Sequence, residues 1–393
     1  MRNELFSRCA LACAIFTGLL GAFGSTAARA DMTSAPERVQ IVRIAYTGPL
    51  SGPNSAIGID ALNGMQIAVD RLNQQGIELD GKSLRFETVV RDDQADGQRG
   101  ADIARELWGS GISAVLGPLN SGVALAAVKT YSDGHIPVLT AASNPKVTSG
   151  NLPFIFRIVV SDADIGAKMA QYAARTLKPR SVAVIDDGSP FAQGLLDAFV
   201  KSAKALGLPT VHREFIPDRG AADSAALEAL QRIRDSGAQA VFIGAHPVQS
   251  GRLLRQMRQM NMDIPVLSGD AMCSAPAIQA AEGAAGDNTY CVLGSNWLTK
   301  VADGAVFAAG FQRKFGRAPD VYAATYFDGV MVLAQAIKSA GSIEGKQLAP
   351  ALARSRYKGI TASYEFNAQR ELKDSTVTIL RIKGTELVPL ASF

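Results

Sequence analysis

Histidine is scarce: His135, His212 and His246 are the only three in 393 residues, and none stands at metal-ligating helical spacing from another. Little is therefore left for acid–base chemistry. The chain has no Gly-x-Ser-x-Gly nucleophile elbow and no Gly-x-Gly-x-x-Gly fingerprint, and "GSIEGK" places three residues where a phosphate loop needs four. "GPLNSG" is loosely spaced like a phosphate cradle but lacks the lysine. These absences point away from catalysis, and no cofactor or metal is expected. Basic runs are missing too, and charges alternate in sign, which argues against nucleic acid or an anionic membrane as partner.

Long hydrophobic runs are confined to the beginning. Arg2 and Arg8 precede the apolar "CALACAIFTGLLGAF", and "ARAD" offers small residues at Ala28 and Ala30. This is the pattern of a secretory signal peptide over residues 1–30, too short for a membrane span of about 20 residues. Its removal would take Arg2, Arg8, Arg29 and Glu4 from the 40 basic and 36 acidic residues, leaving a formal charge of +2. Cys9 and Cys13 would leave as well. Cys273 and Cys291 then remain, and in an oxidising compartment one disulfide is favoured over a metal site, with two unpaired buried thiols as the alternative.

What the chain does contain is a cadence. "IVRIAYTGPL", "LRFETVVRDD", "ISAVLGP" and "IPVLTA" read as strands alternating with helical stretches, among them one in which Leu62, Met65, Val69 and Leu72 recur at helical spacing before Gly76. The cadence restarts with "SVAVIDDG", "TVHREFI", "QAVFIGAHP" and "IPVLSGD", with helices beginning near Phe191, Ala222 and Val248. Alternating strand and helix implies right-handed crossovers and parallel sheets covered on both faces. Roughly 360 residues exceed one core, so the fold class is α/β, two doubly wound lobes with a hinge and a cleft between them. The late "SYEFNAQRELKDSTVTILRIKGTELVPL" reads as antiparallel strands.

Open α/β sheets bind ligands outside the carboxyl ends of their strands. There, "GPLNSG" places Ser121 where it can cap a helix whose N–H groups suit a carboxylate. "TAASNP" supplies the small Ala141 and Ala142, which permit close backbone approach, and the hydroxyl of Ser143. Asp270, across the cleft in "VLSGDAMCS", would answer an ammonium; capping a turn is its alternative role. Together these favour an amino acid.

From about Val42 to Val388 the chain resembles the leucine/isoleucine/valine-binding proteins, periplasmic substrate-binding components of amino-acid ABC transporters. The resemblance rests on "GPLSGPNSAIGIDALNGMQIAVDRLNQQG", "VLGPLNSGVALAAVKTYSDGHIPVLTAASNPKVT", "VFIGAHPVQSGRLLRQMR" and "VLSGDAMCS". It implies a type I periplasmic binding fold, with lobes at 40–157 plus 296–375 and 158–295 plus 376–393. It also implies carboxylate binding by Ser121 and Ser143, and ammonium binding by the Ala141 carbonyl and Asp270. Ile57 and His246 stand where well-known members place tyrosines facing the ligand side chain, so preference for Leu, Ile or Val does not carry over automatically. A loop role remains open for His246, and a core role for Phe191 besides that of closing aromatic. A Cys273–Cys291 disulfide matches some members. The expected protein is a periplasmic monomer serving an inner-membrane ABC permease, with an extracytoplasmic sensor for amides or aromatic acids as the alternative.

Overall fold

The computed structural model describes residues 39–217, 223–374 and 376–393; the expected signal peptide lies outside them. In the first lobe, β1 (Val39–Gly48), β2 (Ile77–Leu79), β3 (Lys82–Asp92), β4 (Ala114–Leu116), β5 (Val138–Thr140) and β6 (Ile155–Arg157) form one sheet in the order β2-β3-β1-β4-β5-β6. All pairings are parallel except the β2–β3 hairpin. Helices α1 (Ser55–Gln75), α2 (Gly97–Leu107) and α3 (Ser121–Asp133) are the crossovers. Both faces of β1 are covered over its second half: Val42, Ile44 and Tyr46 join one core, and Ala45 joins the core on the opposite face.

The second lobe opens with α4 (Asp162–Tyr172) and repeats the plan with β7 (Val182–Asp186), α5 (Pro190–Ala205), β8 (Thr210–Phe215), α6 (Asp223–Asp235), β9 (Val241–Gly244), α7 (Pro247–Gln259), β10 (Val266–Ser268), α8 (Ala275–Ala280) and β11 (Thr289–Leu293). The chain then returns to the first lobe. There α9 (Ala302–Phe315), α10 (Ala323–Ala340) and α11 (Gly345–Ala353) pack in the core built on β1 and α1, beside the hairpin of β12 (Tyr357–Lys358) and β13 (Ser363–Tyr364). Finally β14 (Thr378–Lys383) and β15 (Glu386–Ser392) complete the second sheet, in the order β15-β14-β11-β10-β9-β7-β8. The chain thus passes between lobes after β6, after β11 and after β13, which makes a multi-strand hinge.

The late antiparallel strands expected from sequence are present as β13 to β15, whereas β6 and β11 are strands that the alternation of "FIFRIVV" and "TYCVL" did not single out. Both are short and sit beside the crossings, where tertiary pairing rather than pattern selects the strand.

Each sheet has a point where its order reverses: between β1 and β4 in the first, and between β7 and β9 in the second. Segments after those strands define the cleft. Gly117, at φ +122°, shows how tightly the first is drawn, since an added Cβ would sit 2.0 Å from the Thr47 carbonyl oxygen at the end of β1. Side-by-side packing of α1 and α10 is equally close: at Gly64 a Cβ would lie 1.8 Å from the Ala323 carbonyl oxygen.

Candidate functional site

The strand ends of the two lobes line a small cavity of about 30 Å³. Of the residues singled out from sequence, Ile57, Ser121, Ala141, Ser143, Phe191 and His246 line it. Ala142 is buried behind that wall, and Asp270 lies next to the lining residues Ala271 and Tyr322. Leu119, Asn120, Pro247 and Ser274 also line the cavity and were not anticipated.

On the first-lobe wall, one expectation is corrected. Asn120, not Ser121, is the N-cap of α3, and Ser121 is the first helical residue. The helix starts one position earlier in the chain than its apolar pattern shows. The Asn120 side chain makes no capping hydrogen bond, so the first-turn N–H groups of α3 receive no side-chain cap. Ser121 Oγ instead accepts from the Asn144 N–H at 3.3 Å, joining the "GPLNSG" and "TAASNP" loops.

Arg157, at the end of β6, holds the "AASNP" loop from behind. Its guanidinium, fully buried, donates to the Ala142 carbonyl, to the Asn144 carbonyl at 2.9 Å, to Thr148 Oγ1 at 2.8 Å and to Glu371 Oε1 at 3.1 Å. Burial lowers its pKa, and Glu371 opposes that shift. Five planar donors matched to several acceptors make a rigid clamp, which draws the 142 and 144 carbonyls toward the guanidinium.

On the second-lobe wall, His246 follows β9 and caps α7 in position only, without a side-chain capping bond. Its backbone N–H and its Nδ1 both meet Asp187 Oδ2, at 2.8 and 2.7 Å. Burial alone would raise the Asp187 carboxyl, but the His246 ring and Ser189 outweigh it and hold the group below the usual range. Phe191, from the first turn of α5, packs against the His246 ring at 5.7 Å between centroids, so both side chains belong to the cavity wall.

Asp270 opens the short turn after β10. Its Oδ2 accepts from the Tyr322 hydroxyl at 2.9 Å, whereas Oδ1 is buried with no partner among the described residues. Beside it is Asp162, the first residue of α4, fully buried and with no hydrogen-bond partner of good geometry on either oxygen. Burial and then the charge of Asp270 push Asp162 up to about 8, with the Ser143 hydroxyl pulling the other way. Burial also raises Asp270. Sequence reasoning missed Asp162 because Ser161 caps α4 and an acid in the first turn is ordinary helix chemistry. Its place just after β6, the edge strand paired with β5, was the available signal.

The lobes touch around this site. Besides Tyr322 on Asp270, the Asn144 side-chain amide donates to the Pro190 carbonyl at 2.5 Å, and the Ala275 N–H donates to the Asp320 carboxylate at 3.1 Å. Asp60, buried in α1, accepts from the N–H groups of Asp320 at 2.9 Å, Tyr322 at 3.2 Å and Ala323 at 2.8 Å, and so fixes Tyr322 at the start of α10. Burial, and after it the charge of Asp60, push Asp320 up to about 7. A Cys273–Cys291 disulfide ties the Asp270 turn to β11. His135 and His212 lie elsewhere, the former against Phe154 and the latter paired with Glu214 on β8. Among the described residues no cluster of three or more His, Cys, Asp or Glu is arranged to hold a metal ion, and no helix is long and apolar enough to cross a membrane.

Comparison with known proteins bears on the family and the fold. The family described as periplasmic binding protein matches residues 41–386. A Leu/Ile/Val-binding protein homolog 1 of Brucella suis is 30% identical over 353 residues, 90% of this chain and 88% of its own. The Leu/Ile/Val-binding protein BraC3 of Rhizobium johnstonii is 28% identical over 80% of this chain and 84% of its own. Among solved structures, the branched-chain amino acid transporter substrate binding protein LivJ from Streptococcus pneumoniae, in complex with isoleucine, superposes with a TM-score of 0.81 at 25% identity, covering 90% of this chain and 99% of that one. A solute binding protein of an ABC transporter from Rhodopseudomonas palustris, in complex with benzoate, shares the fold at a TM-score of 0.79 and 20% identity, over 90% and 96% of the two chains.

Proposed function

Since the chain belongs to the periplasmic binding protein family, we propose that it is the substrate-binding component of an ABC importer and closes its two lobes on one free amino acid, branched-chain or related. The observation that carries this is the pair Asp162 and Asp270: two carboxylates close enough for the charge of one to act on the other, with three of their four oxygens lacking a hydrogen bond of good geometry among the described residues. Such a pair is costly unless a cation answers it. An ammonium is that cation, and the Ala141 carbonyl beside it supplies a further acceptor. The ligand carboxylate goes to the Ser121 and Ser143 hydroxyls and the uncapped first turn of α3. Ala142 allows the close backbone approach. Arg157 acts through the loop it clamps.

Closure follows from the division of labour. The carboxylate is gripped by the first lobe and the ammonium by Asp270 of the second, so only the closed form satisfies both, and the ligand shifts the population toward it. The closed form is then what a membrane permease reads. On this reading the protein works in the periplasm after signal-peptide removal, as a monomer, and releases its ligand unaltered, with no chemical step. An aromatic acid fits the site less well, because it carries no positive centre for the two aspartates.

Calorimetry tests the proposal directly. Titration with leucine, isoleucine and valine against the same acids lacking the amino group should give binding only when the ammonium is present, and the bound ligand should be recovered intact. Equal affinity for the deaminated acids would overturn the assignment.

A further inference from the structure

Two residues line the cavity from different lobes and share an anomaly. Asn120 and His246 each occupy the N-cap position of a helix, α3 and α7, and neither uses its side chain to cap. Asparagine is favoured at that position because its oxygen accepts a first-turn N–H. Here Asn120 Oδ1 accepts nothing: it is buried with no hydrogen-bond partner among the described residues, on a side chain only 8% exposed that lines the cavity. An acceptor so placed costs free energy until a ligand donates to it. His246 lines the same cavity, its ring oriented by the bond from Nδ1 to Asp187.

We propose that the side chain of the bound amino acid ends in a neutral hydrogen-bonding group, an amide or hydroxyl, which donates to Asn120 and is addressed by the His246 ring. This rests on the amino-acid reading above and sharpens it. Ile57, Leu119 and Phe191 pack the stem of that side chain. A second carboxylate is disfavoured, since Asp187 and Asp270 stand behind the lining residues His246 and Tyr322 and Arg157 is turned away into the "AASNP" loop. A saturated hydrocarbon would bury the Asn120 oxygen against methyl groups.

Shape-matched pairs separate polarity from size: asparagine against leucine, and threonine against valine. In calorimetry on the mature, disulfide-bonded protein, the polar member of at least one pair should bind about ten-fold or more tightly than its hydrocarbon partner. Asn120→Leu should reverse that ratio in favour of leucine, and His246→Phe should shift it the same way; unchanged melting temperatures would show that both variants fold. Tighter binding of both hydrocarbons by the wild type, or a ratio unmoved by both substitutions, overturns this inference while leaving an amino-acid receptor. Failure of all four amino acids to bind, with the variants folded, overturns the amino-acid reading itself and this inference with it.

Discussion

Two acidic arrangements stand behind the wall of the second lobe, and they behave in opposite ways. Asp187 is fully buried at its side chain and yet has its charge answered from within the protein, by His246 and by the Ser189 N–H at 2.9 Å. Asp162 is fully buried and Asp270 partly so; each feels burial, Asp162 also feels the charge of Asp270, and only the Tyr322 hydroxyl reaches either of them with good geometry. The first pair is complete and holds a wall residue in place. The second is incomplete and, on the proposed function, is finished by the ligand. Burial alone therefore does not distinguish a structural acid from a binding one; the presence of an internal partner does.

The largest expected contrast is in affinity. Asp270→Asn should weaken amino-acid binding by about 2–5 kcal/mol, the cost of removing one member of a buried charge pair, as read by calorimetry. The ligand-free protein should not lose melting temperature, since a repelled acid has been neutralised. Asp187→Asn should do the reverse: about 1–3 kcal/mol of stability is lost from an unsatisfied imidazole, read by chemical denaturation, with a smaller effect on binding through the loosened His246 ring.

Next comes pH, where the sign differs between folding and binding. Asp162 and Asp270 have pKa values raised in the folded, ligand-free protein, so that state holds protons the unfolded chain releases. Their contribution to stability is fully present below the ordinary carboxylate pKa and is lost as pH rises toward about 8. An ammonium prefers both carboxylates ionised, so binding releases protons in that window. Affinity should rise by up to about ten-fold per pH unit for one proton released, with Arg157, Tyr322 and His246 as the other ionisable groups facing the pair. Calorimetry in buffers of different ionisation enthalpy would detect those protons; a pH-independent affinity between 6 and 8 would erase the distinction between the two arrangements.

The smallest effect is the most diagnostic. Asp162→Asn should raise the melting temperature of the ligand-free protein by about 2–4 °C for each kcal/mol of repulsion relieved, while still weakening binding.

Much of this was legible in the sequence. The strand and helix cadence carries the lobes, because apolar periodicity is a local property and each crossover is local too. Ser121, Ala141, Ser143 and Phe191 could be named because each follows a readable strand, whereas Ile57 and His246 were named through the family resemblance. What escaped depends on distance along the chain. Arg157 meets Glu371 across 214 residues, and Asp60 meets Ala323 across 263; no pattern within a helix or strand encodes either. Tyr322 was hidden at the start of a helix whose apolar face explains itself. Asn120 was lost to a one-residue ambiguity in where α3 begins, the least readable feature of any helix. Asp162 was visible but mistaken for routine helix chemistry.

The cross-link between Cys273 and Cys291 gives the route of preparation a say in what is measured. Protein made in a reducing cytoplasm would lack the covalent tie between the segment that presents Asp270 and its neighbouring strand. Such a sample should register as a weaker receptor, and titrations on reduced and oxidised batches should not be pooled.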